Sequence, residues 1–191
     1  MQSDFELFQN YLKDLSKVLD HLPLDPLEEI LAALKKARLE ERTIFVFGNG
    51  GSASTASHMV CDLAKNTRQL ELPGVRVIGL NDNIPTMTAF ANDEGYERVF
   101  SEPLRALVRE EDLVIALSGS GNSPNVLEGI RTAKEAGALT VGLTGFEGGK
   151  LIDLVDICLV VPSDSMERIE DLHLIINHML TVALREMEAE A

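Results

Sequence analysis

Five short runs, at residues 43–47, 75–80, 113–117, 139–143 and 157–161, are predominantly apolar, and stretches of helical spacing separate them. A strand that is apolar on both faces has to be covered on both, as in a parallel sheet held between two layers of helices. The expected architecture is therefore α/β, a doubly wound five-stranded parallel sheet. Phe5, Phe8, Leu12, Leu15 and Leu19 recur at helical spacing ahead of it, and Asp25-Pro26 reads as N-cap and first turn of a second helix to about residue 38. The expectation for these is an N-terminal helical hairpin used for packing or oligomerisation. A helix opens at Pro124, and a long C-terminal helix runs from 166 to 187. No low-complexity linker divides the chain. One domain over 1–191 is expected, with N-terminal helices at 1–40, an α/β core at 41–165 and a C-terminal helical segment at 166–191. The 191 residues are enough to bury such a core.

Charge narrows the partners. With 31 acidic against 17 basic residues, the formal net charge is -14. Such a surface repels phosphate backbones and anionic membranes at long range, which argues against both as partners. No apolar stretch approaches the ~20 residues that span a bilayer. The N-terminal segment carries acidic residues where a signal peptide has positive charge, so a cytoplasmic protein is expected. Cys61 and Cys158 lie far apart in apolar company and are expected to be two buried thiols.

Two of the runs end in loops rich in Gly and Ser. Gly48-Asn49-Gly50-Gly51-Ser52 follows the first, and Ser118-Gly119-Ser120-Gly121-Asn122-Ser123 follows the third. In doubly wound sheets ligands sit beyond the carboxyl ends of the strands, where both loops fall. Glycines allow backbone N–H groups to approach a ligand, the following helix adds its positive end, and hydroxyls add donors. An acidic protein can hold a phosphate in this way without Lys or Arg. Neither loop has a P-loop Gly-Lys-Ser/Thr or a close GxGxxG match, so no nucleotide cofactor is expected. For either loop alone, a connecting turn is the plainer alternative.

The loops, with His58, then Leu143-Thr144-Gly145, Gly148-Gly149-Lys150 and Arg168-Ile169-Glu170-Asp171-Leu172-His173, resemble the sugar isomerase (SIS) fold and, more narrowly, the phosphoheptose isomerases. The resemblance spans nearly the whole chain. It implies an aldose–ketose isomerase converting sedoheptulose 7-phosphate to D-glycero-D-manno-heptose 7-phosphate through an enediol(ate). It implies substrate binding by Asn49, Gly50, Gly51, Ser52, Asp93, Ser118, Gly119, Ser120, Ser123 and Glu170, with Ser52, Ser118, Ser120 and Ser123 holding the phosphate. Asp62 would be the base and His178 the acid. Zn²⁺ or another divalent ion at His58, Asp62, Glu170 and His178 is implied from members that bind zinc, and a homotetramer with sites at subunit interfaces from the family's assembly.

The chain departs from the family pattern at several of these positions. Asp62 stands where Glu is usual, Glu170 where Gln is usual, Gly119 where Thr is common and Glu167 where Asp is common. Asn66 replaces an Arg, with Lys65 and Arg68 nearby. His58 and Asp62 share a helix face at i, i+4, which by itself is also ordinary on a solvated face. His178 lies in an apolar stretch where a core histidine is the alternative, His173 reads as packing, and Asp93 has the alternative of capping a turn. Residues 170 and 178 lie about 12 Å apart along one helix axis, so they share a metal only with bent side chains or across subunits. Two alternatives to the isomerase remain: a non-catalytic sugar-phosphate-binding or replication-initiator-binding SIS protein, and an isomerase for another sugar phosphate.

Overall fold

The computed structural model describes residues 3–187; the ends of the segments above, at 1–2 and 188–191, lie outside it. Five parallel strands form one sheet: β1 (Thr43–Gly48), β2 (Arg76–Gly79), β3 (Leu113–Leu117), β4 (Leu139–Thr144) and β5 (Ile157–Val160), in the order β2-β1-β3-β4-β5. β1, β3 and β4 are buried almost throughout, whereas the edge strands β2 and β5 are half-exposed. This is why the central runs read as predominantly apolar sequence. Alternate residues feed two cores. Ile44 and Val46 point into one, Phe45 and Phe47 into the other.

The first core is covered by α2 (Asp25–Leu39), α3 (Gly51–Cys61) and α7 (Met166–Arg185), through Ile30, Leu34, Met59, Ile169, Leu172 and Ile176. The second is covered by α5 (Ser101–Leu107) and α6 (Pro124–Glu135), with Phe47 stacked obliquely on Phe100 at 4.7 Å. α4 (Ile84–Asp93) packs Met87 and Ala91 against the same core. The chain passes from β2 across β1 to β3, so its winding reverses between β1 and β3. That switch point is where such sheets open a crevice, and the two Gly/Ser loops line it.

Three local features differ from expectation. Asp25 lies in the first turn of α2 rather than capping it, with Leu24 at the cap position. Cys61 is exposed, because it sits on the outer side of α3; Cys158, on the edge strand β5, is half-buried, and both are free thiols. The helical pattern past Cys61 continues as one turn of π-helix, Asp62–Asn66, which turns Asp62 inward. A 3₁₀ turn, Tyr96–Arg98, precedes α5.

α1 (Asp4–Asp20) is capped by a reciprocal Ser3–Glu6 box and none of its residues is fully buried. Leu15 and Val18 pack partly on the core, while Phe5, Phe8 and Leu12 are about two-thirds exposed. The Tyr11 hydroxyl donates to Asp171 Oδ2 at 2.5 Å, and Arg168 pairs with Asp14 at 3.6 Å. These contacts tie α1 to α7.

Candidate active site

At the N-terminus of α3, Gly50 takes a positive φ of 56° and no side chain caps the helix. Gly51 and Ser52, whose N–H groups have no partner further back in the helix, line the crevice, whereas the Ala53 N–H bonds back to the Asn49 and Gly50 carbonyls. The approach is close on every side. A Cβ on Gly48 would lie 2.7 Å from the Leu117 carbonyl oxygen and 2.8 Å from Ser52 Cβ. Asn81 holds Gly48 from outside the loop, donating from Nδ2 to its carbonyl at 2.8 Å and accepting its N–H at 3.2 Å. Asn49 is paired in both directions with the buried Asn125, and its Oδ1 also accepts from the Tyr96 hydroxyl at 3.0 Å.

In the second loop, Gly121 at φ 62° lets the chain fold back, and Ser118 accepts its N–H. Ser123 is the N-cap of α6 but makes no capping bond, which leaves its hydroxyl for a ligand. The Ser118 hydroxyl is buried and has no protein partner. Burying a hydroxyl unbonded costs about 1–3 kcal/mol, so a ligand acceptor is the natural complement. The two loops enclose a cleft of about 230 Å³ that Ser52, Ser118, Ser120 and Ser123 line together with Met166 and Glu170 of α7. A larger groove, about 650 Å³, lies between α1 and the loops after β4 and β5, but its charged walls converge on no comparable set of donors.

A second cluster forms farther along α3 and α7. His58 Nε2 lies 3.3 Å from Asp62 Oδ2, His178 Nε2 lies 3.7 Å from the same oxygen, and the two ring nitrogens are 3.3 Å apart. Asp62 is buried, and the imidazoles are about half-exposed. Its carboxylate is fixed by two amides: Asn66 Nδ2 donates to Oδ1 at 2.7 Å and Asn177 Nδ2 to Oδ2 at 2.8 Å. The core-histidine alternative belongs instead to His173, whose Nε2 meets the Thr144 carbonyl at 3.2 Å. Burial pushes that imidazole down to about 4.

One potential ligand atom from each of His58, Asp62 and His178 falls within 4.8 Å of the others. Two imidazole nitrogens and a carboxylate oxygen suit Zn²⁺, and three protein ligands leave the open position of a catalytic ion. Glu170 stands elsewhere, its carboxylate against the backbone of Gly51 in the loop cleft. Asp93 ends α4, exposed, and accepts from the neighbouring Asn92 amide at 2.7 Å. Of the supporting amides, Asn81, Asn125 and Asn177 escaped sequence reasoning, and Asn66 stood out only as a departure from the family's Arg, not as a partner of Asp62. Of the first three, only Asn177, a polar residue between Ile176 and His178 on an otherwise apolar face, carried a visible signal.

The SIS domain model matches residues 8–145, well over half of the chain. A phosphoheptose isomerase from Aliarcobacter butzleri is 37% identical over 175 residues, covering 91% of this chain and 90% of the relative. Another, from Helicobacter pylori P12, is 39% identical over 169 residues, 88% of this chain and 82% of the relative. The solved phosphoheptose isomerase of Francisella tularensis superposes with a TM-score of 0.90 at 26% identity, over 97% of this chain and all of the other. That of Neisseria gonorrhoeae gives 0.89 at 27% identity with the same coverage. The winding order, the paired loops and similarity at this level and length together show that the chain belongs to the SIS-domain family and, within it, to the phosphoheptose isomerases.

Proposed function

We propose that the protein is an aldose–ketose isomerase converting sedoheptulose 7-phosphate to D-glycero-D-manno-heptose 7-phosphate. The observation that carries this reading is the convergence of His58, Asp62 and His178 on one point, with the carboxylate fixed by Asn66 and Asn177. The reaction moves a proton from C1 of the ketose to C2 through an enediol(ate), while a hydroxyl proton moves between O1 and O2. Asp62 takes the C1 proton and returns it to C2. His178 donates and accepts at the oxygens. Ser52, Ser118, Ser120, Ser123 and the glycine N–H groups anchor the phosphate, and Asn49 and Glu170 meet the sugar. A divalent ion such as Zn²⁺, held by His58, Asp62 and His178, would polarise the substrate carbonyl.

Asp62 lies eleven residues after Gly51, roughly 16 Å along the helical axis. An open seven-carbon phosphate, built from bonds of about 1.5 Å, spans only roughly 10 Å. This mismatch supports a site assembled from two subunits, the loops of one facing the triad of another. The outward row Phe5, Phe8 and Leu12 supports the expected homotetramer. A phosphorylated substrate suits a cytoplasmic location, and no helix among the described residues is long and apolar enough to cross a membrane.

The test is conversion of sedoheptulose 7-phosphate by wild type, Asp62→Asn and His178→Ala, with solvent deuterium incorporation at C2. Loss of at least about 100-fold in both variants is expected, in the range of general acid–base contributions. Wild-type activity in both would remove the assigned roles. A protein that binds sugar phosphate without deuterium exchange would be a binder. Chelation resolves the two uses of Asp62: activity that survives it places proton transfer there without a metal.

A further inference from the structure

The loop cleft is lined by backbone, hydroxyls and an amide, and among its lining residues Glu170 alone carries a formal charge. Its position is unusual for an anion site. Both carboxylate oxygens would lie 2.5 Å from a Cβ on Gly51, so the group rests directly on the first residue of α3. No basic residue among those described comes within ion-pair distance of it. Half-buried in this way, the carboxylate occupies the positive end of α3, where an incoming phosphate would also be drawn.

We propose that Glu170 is a specificity-determining residue, which makes the cleft discriminate against bare phosphate and select phosphate esters bearing hydroxyl groups. The inference rests on the phosphate-loop reading above. A free phosphate meets the N–H and hydroxyl donors but also a like charge a few ångströms away. A polyol phosphate meets the same repulsion and offsets it, because its hydroxyls donate to the carboxylate in charge-assisted bonds. Two anions that the loops would otherwise bind alike are thereby separated. The device matters for a site whose donors are generic, since Ser118, Ser123 and a helix N-terminus do not distinguish an ester from an inorganic anion.

The experiment is calorimetric titration of the intact protein with inorganic phosphate and with sorbitol 6-phosphate, a hydroxylated ester that has no carbonyl to isomerise. Wild type, Glu170→Gln and Glu170→Ala are compared at pH 7 and low ionic strength. Glu170→Gln keeps shape and removes charge. It is expected to bind inorganic phosphate about tenfold more tightly, as removal of a nearby like charge predicts. Its preference for sorbitol 6-phosphate over phosphate should narrow by a similar factor, and the gain should shrink as salt is raised. Glu170→Ala should show the same gain for phosphate, which separates charge from side-chain shape. An unchanged phosphate affinity, or a parallel loss for both ligands, overturns the inference. Failure of every protein to bind either ligand overturns it together with the phosphate-loop reading. Binding as expected without isomerase activity upholds it and removes only the isomerase.

Discussion

His173 sits in the core with its Nδ1 unpartnered, and desolvation holds it neutral down to about pH 4. An unfolded histidine titrates near 6.5, so between these values the unfolded chain binds the extra proton and folding weakens as pH falls. The contribution is full above about pH 6.5 and is lost by about pH 4, amounting to about 3 kcal/mol at the low end. Denaturant titrations of wild type and His173→Gln from pH 7.5 to 4.5 should therefore converge, with the variant showing the flatter profile. Asn177 gives a second test at this scale. Asn177→Ala removes one of the two amides that hold the buried Asp62 carboxylate. A stability loss of about 1–3 kcal/mol is expected from chemical denaturation, together with a fall in kcat larger than any change in KM.

At the level of elements, the loop cleft depends on how tightly α3 is drawn to the ends of β1 and β3. A Cβ at Gly48 would meet the Leu117 carbonyl and the Ser52 backbone, neither of which swings aside as a flexible side chain does. Gly48→Ala should cost about 1–3 kcal/mol, measured by thermal or denaturant unfolding, and should weaken phosphate binding. The same elements show how far the sequence was legible. Strands β1, β3 and β4 stand where their apolar runs predict, because central strands buried on both faces leave a predominantly apolar signature. The shorter edges of β2 and β5 followed from partial exposure, which local composition does not encode. The loops were legible because glycine and serine are needed there by type. The π-turn at Asp62–Asn66 was not, since the same apolar spacing serves an α-helix. Asn81 and Asn125 were hidden for a related reason: an amide's role depends on a partner distant in sequence, as Asn125 meets Asn49 across 76 positions and Asn81 meets Gly48 across 33. The placement of Glu170 beside Gly51 likewise depends on α3 and α7 lying side by side.

For the whole molecule, α1 is the least self-sufficient part. It presents Phe5, Phe8 and Leu12 outward and is tied down by Tyr11–Asp171 and Asp14–Arg168. Phe8→Glu should leave the sheet intact by circular dichroism yet shift the protein to smaller species in light scattering. Activity should fall in parallel, because the expected site draws on two chains. The separation of loops and triad along α3 has a genetic counterpart. A chain crippled at Ser118 and a chain crippled at His178 would each be inert alone, but co-expressed they would build some sites from one intact half of each. Two null alleles of this gene would then complement one another within a single cell.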